Sequence, residues 1–113
     1  MALFDIYESG LGYRVLRIET SGEAELRTLI SLFQVSASGR EMKANLITLR
    51  VVVRDQPPWR IAEQPRGVVT WTVSTSHVVS ILSRIDHVKA HPSEQVLLNE
   101  EYEDLVVELV HLR

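Results

Sequence analysis

Hydrophobic positions follow two periods along this chain. Within residues 44–54, Ile47, Leu49, Val51 and Val53 alternate with positions that include Thr48, Arg50 and Arg54, which predicts a strand with one buried face. Within residues 75–89, Val78, Ile81, Leu82, Ile85 and Val88 recur every three or four residues, which predicts a helix burying one stripe. The same two periods organise the rest. Residues 3–7 read as a short strand closed by the glycines of "ESGLG", and residues 13–19 read as a second strand. A helix follows, with Leu26, Leu29, Ile30 and Phe33 on one face; it starts at a capping signal of Thr20 or Ser21 with Glu23 and ends near Val35, before a loop at "SASG". Val69, Trp71 and Val73 alternate with Thr70 and Thr72, predicting a strand that pairs with 44–54 as a long-loop hairpin. Ser74, Thr75 or Ser76 caps the second helix, and two further strands, "EQVLLN" and "DLVVELVHL", flank the acidic turn "NEEYED".

The order is strand, strand, helix, strand, strand, helix, strand, strand. A strand, a Ser/Thr-rich cap and an amphipathic helix occur twice, at "RIETSGEAELRTLI" and "TWTVSTSHVVSILS", which hints at a duplicated unit. The fold class is α+β: two helices on one face of a mainly antiparallel sheet, with a ferredoxin-like βαββαβ core and extra N- and C-terminal strands. At 113 residues the chain has the length of one domain, 1–113.

In "DLVVELVHL", Leu105, Val107 and Leu109 point one way while Val106, Val110 and Leu112 point the other, so both faces are apolar apart from Glu108. Two helices cover one face. The other is expected to meet a protein partner or a second copy, making a homodimer.

Composition narrows the function classes. Hydrophobic residues make up 45% and charged residues 24%, as in ordinary globular proteins. Asp5 and Glu8 stand where an export signal would be basic and then apolar, and no apolar run reaches the roughly 20 residues of a membrane helix, so a cytoplasmic protein is expected. There is no cysteine, hence no disulfide or thiolate chemistry. The net charge of −3 argues against nucleic acid, although residues 40–66 hold six basic and three acidic side chains and residues 94–113 hold six acidic and one basic.

Three of the four histidines lie in 73–92. His77 and His87 are ten residues apart, about 15 Å along a helix, too far to share a metal. His87 and His91 have i, i+4 spacing, but His91 precedes Pro92, where helical geometry is disfavoured, and no third ligand is evident. No metal or other cofactor is therefore expected. His77 lies beside capping hydroxyls and could serve as a base for Ser74, Ser76 or Ser80, but no nucleophile motif or orienting acid accompanies it. Glu100, Glu101, Glu103 and Asp104 crowd one turn and read as solvated, whereas Glu108 interrupts an apolar strand. No glycine-rich phosphate loop is present.

The loop "DQPPWRIAEQPRG" is the foremost candidate for function. Pro57 and Pro58 stiffen it, and Trp59, Arg60 and Ile61 offer an anchor of the type enriched at binding hot spots. The expected function is a noncatalytic protein-interaction module of the accessory, inhibitor or immunity kind, using Pro57–Ile61 together with Val106, Glu108 and Val110. The alternative is a small-molecule sensor or small enzyme with a sheet–helix pocket rimmed by His77, Trp71 and Glu108.

Overall fold

The structure, a computed structural model, describes residues 2–99 and 105–112. Among them the chain forms β1 (Leu3–Glu8), β2 (Arg14–Ser21), α1 (Gly22–Ser31), β3 (Ser36–Ala44), β4 (Ile47–Val53), β5 (Arg60–Gln64), β6 (Val68–Val73), α2 (Thr75–Ala90), β7 (Gln95–Leu97) and β8 (Leu105–Leu112). The α+β class holds, with two helices. The single ferredoxin-like sheet is corrected to two four-stranded mixed sheets, ordered β1-β2-β8-β7 and β3-β4-β6-β5.

Two strands hidden in expected loops account for the difference. β3 occupies "SASG" and the residues after it, and α1 stops at Ser31, short of the expected Val35. β5 occupies the second half of the proline loop and pairs antiparallel with β6, so β4 meets β6 in parallel and the expected long-loop hairpin does not form. The strand expected over 44–54 is interrupted at its start, because Asn45 and Leu46 make the two-residue turn between β3 and β4. Asn45 takes a left-handed φ of 58°, which asparagine tolerates better than most residues.

Both sheets have the same plan: an antiparallel hairpin on each side and a parallel pair at the centre, β2 with β8 and β4 with β6. In chain order the molecule is hairpin, helix, hairpin, then hairpin, helix, hairpin. Each sheet takes the first hairpin of one half and the second hairpin of the other. This arrangement gives the repeated strand–cap–helix segment a structural counterpart.

One apolar cluster joins the two sheets and both helices. Phe4, Leu16, Ile18, Val107 and Leu109 come from one sheet and Leu49, Val51, Val69, Trp71 and Val73 from the other, with Leu26 and Leu29 of α1 and Ile81, Ile85 and Val88 of α2 packed among them. The helix starts differ from expectation in detail. Thr20 is buried and hydrogen-bonds His111 Nδ1 at 2.8 Å, leaving Ser21 as the N-cap of α1, with its N–H and hydroxyl donating to Glu25 rather than Glu23. No described helix is long and apolar enough to cross a membrane.

The second face of β8 is closed within the chain. Val106 is 2% exposed, Val110 3% and Glu108 8%. Neighbouring strands present side chains on that same face: the Tyr7 hydroxyl donates to Glu108 Oε2 at 3.1 Å, and Arg17 Nη1 donates to Glu108 Oε1 at 2.8 Å. Burial first, and then the bond to Glu108 and its charge, push the Tyr7 phenol above its ordinary pKa. The open apolar sheet face expected for a homodimer is thereby corrected: Val106 and Val110 are buried, and Glu108 between them on the same face is ion-paired with Arg17.

Candidate functional site

Where α2 begins, the proline loop, β6 and the end of β7 converge on one recess. Its α2 side is formed by His77, Ser80, Ile81 and Arg84, an i, i+3, i+4, i+7 set that a helix places on one face. Trp71, Thr72 and Val73 of β6, Leu98 and Asn99 beyond β7, and Trp59 of the loop complete the lining around a cavity of about 60 Å³.

Local hydrogen bonds fix these groups. Ser74 caps α2: its Oγ accepts from the His77 N–H at 3.1 Å, and its own N–H donates to His77 Nδ1 at 3.3 Å. His77 thus fills the part that glutamate or glutamine plays in a capping box. The consequence for its chemistry is direct. Nδ1 is already an acceptor, so a neutral ring carries its proton on Nε2 and has no lone pair left to take one from a serine. A general-base role for His77 toward Ser74, Ser76 or Ser80 is thereby corrected to a capping role.

The loop is tied to the same helix start. The Thr75 hydroxyl donates to Asp55 Oδ1 at 2.7 Å, Trp59 Nε1–H donates to the Arg54 carbonyl at 2.9 Å, and the Trp59 ring meets His77 edge to face with centroids 5.8 Å apart. Trp59 remains 39% exposed. Trp71, in contrast, is 2% exposed and packs edge to face on Phe33 with centroids 5.5 Å apart. The two indoles border the same recess from opposite environments, one wet and one dry.

Comparison with protein-family models, curated proteins and solved structures gave no match.

The residues named from sequence distribute unevenly around this recess. His77, Trp71 and Trp59 come together, although sequence placed Trp59 in a separate docking tip. Pro57, Pro58 and Arg60 are exposed beside it, while Ile61 turns inward from β5 into the core. Glu108, Val106 and Val110 are not among the lining residues, and Glu108 instead engages Arg17 and Tyr7. The crowded acids at 100, 101, 103 and 104 lie outside the described residues.

Sequence reading missed Arg84 and Asn99, and it named Ser80 only as a hydroxyl that His77 could activate. Arg84 had a signal, seven residues after His77 on the same helical face. Its Nη1 donates to the Leu97 carbonyl at 2.9 Å and brings the one full positive charge to the described lining, which contains no carboxylate. Asn99 had none, because its partners are backbone groups of β8. Its Nδ2 donates to the Leu105 carbonyl and its Oδ1 accepts from the Val107 N–H, both at 2.8 Å, continuing the β7–β8 ladder with a side chain. Replacing Asn99 by alanine leaves those two backbone groups unpaired in a buried place. An expected loss of about 2–3 kcal/mol follows, to be read in urea denaturation, with faster amide exchange at Val107.

Proposed function

We propose that this protein is a noncatalytic protein-binding module that docks through Trp59 and admits one acidic side chain of its partner into the adjoining recess. The half-exposed, hydrogen-bonded Trp59 carries the reading. A tethered indole with edge-to-face support is an aromatic anchor whose rotamer is set before binding, which lowers the entropy lost on association. Volume favours a side chain over a free ligand: a cavity of about 60 Å³ is well below the roughly 300–1,000 Å³ of ordinary small-molecule sites. Charge favours an acid, since Arg84 is present and no described lining residue is a carboxylate.

The sheet-face half of the original expectation has lost its premise, so Val106, Glu108 and Val110 are not part of this proposal. A photo-crosslinking residue at Ser80, introduced in the native cell, is expected to capture a protein partner. Trp59→Ala should weaken that capture about thirtyfold, as loss of a hot-spot residue does, while shifting the melting temperature by only a few degrees. Capture unaffected by Trp59→Ala would overturn the reading. So would the same purified chain binding a small metabolite in the recess with no dependence on Trp59.

A further inference from the structure

The C-terminal end of α2 holds a second cluster, away from the residues that line the recess. His91 ends the helix at φ −127° and ψ 74°, as the following proline demands, yet its ring stacks on His87 with centroids 4.3 Å apart and planes inclined by 20°. Losing helical geometry at His91 does not separate the two imidazoles, contrary to the sequence expectation. Ser93, at φ 72°, then turns the chain so that Glu94 comes back to the same spot, with His87 Nε2 and Glu94 Oε2 3.0 Å apart. Sequence inspection could not supply this third residue because a reversal of the backbone delivers it.

We propose that His87, His91 and Glu94 form a binding site for one divalent transition-metal ion of zinc's chemistry. The three residues each offer one ligand atom, and those atoms lie within 4.8 Å of one another. Tetrahedral zinc with bonds of about 2.0–2.1 Å needs neighbouring ligand atoms roughly 3.4 Å apart. Small rotations of exposed side chains close that difference. Two imidazoles and a carboxylate suit zinc or its first-row neighbours and do not suit magnesium or calcium, which take oxygen ligands.

Two features place the backbone in advance. The His91 N–H donates to the carbonyls of His87 and Val88, the Glu94 N–H to the His91 carbonyl, and the Ser93 N–H to the His111 carbonyl at 2.8 Å, which ties the turn to β8. His91 Nδ1 lies 3.0 Å from the His87 carbonyl oxygen; a proton there leaves Nε2 as the ligand, the division of labour usual in metal-binding imidazoles. The site also lies at the negative end of the α2 dipole, which favours a cation. Three protein ligands leave a fourth position for water or for a group from another molecule.

Calorimetric titration of the purified full chain with zinc chloride in a non-chelating buffer tests this. One ion per chain is expected at micromolar affinity, with His91→Ala and Glu94→Gln each weakening binding about tenfold or more. Cobalt should give the visible bands of near-tetrahedral coordination, lost in the same variants, and magnesium should give no heat. Because all three side chains are exposed, the variants are expected to stay folded, which circular dichroism checks. Absence of binding at about millimolar zinc would overturn the proposal. So would undiminished affinity in the His87→Ala/His91→Ala double variant, which would show that the cluster is only an ion pair beside stacked rings. Neither result bears on the Trp59 surface.

Discussion

Gly67→Ala is expected to destabilise the protein by about 3 kcal/mol or more and to lower its melting temperature by more than about 10 °C. Gly67 joins β5 to β6 at φ 72°, a conformation that costs an L-residue roughly 1–2 kcal/mol. The larger share comes from space. A Cβ at this position would lie far inside van der Waals contact with the Leu46 carbonyl oxygen, on the tight turn between β3 and β4. A backbone oxygen in a two-residue turn cannot rotate aside as a side chain does. Relief therefore requires moving one hairpin against the other. Gly10→Ala is the control, since Gly10 also has a positive φ, 82°, with nothing within 4 Å of its added methyl group. It should lose only the backbone share. Equal thermal shifts for the two variants would show that the Leu46 contact has no effect.

Trp71→Ala should be the costliest single truncation at the recess, about 3–5 kcal/mol, measurable by urea denaturation. The residue is almost wholly buried, its ring contacts Phe33 edge to face, and β6 holds it between β4 and β5, so the surroundings cannot collapse into the vacated space. Against a typical total of 5–15 kcal/mol, such a loss removes a large part of the stability. Trp59→Ala, on the other side of the same cavity, should cost little stability and much binding. A similar stability loss for both variants would contradict the division of labour between the two indoles.

Legibility of the sequence depended on where each element sits. α2 was readable to within a residue or two because its apolar stripe faces the core along its whole length. β4, β6 and β8 were readable because central strands bury dense apolar runs. β3 and β5 were not. Both are edge strands, and in "RIAEQ" only Ile61 is buried, so no alternation survives to announce a strand. With those two strands missing from the count, one sheet was the simplest arithmetic, and the long β4–β6 connection looked like a hairpin. The second face of β8 looked open because the contacts on it come from Tyr7 of β1 and Arg17 of β2, which the sequence of β8 alone does not announce. At the candidate site, His77 and Trp71 could be placed on one pocket from sequence, but the arrival of Trp59 beside them could not, since it depends on Asp55 and Arg54 tethering the loop to the start of α2.

The exchange of hairpins between the halves has a consequence of its own. β2 pairs with β8 across 91 residues, from Arg17 to Glu108, and β4 pairs with β6 across the proline loop. A cut within that loop would leave two ββαββ fragments, and both parallel pairs would run from one fragment to the other. Neither piece could close a sheet by itself, and the two would hold together as the subunits of an interlocked dimer do, with the covalent loop acting as a tether. The chain is in this sense its own obligate partner.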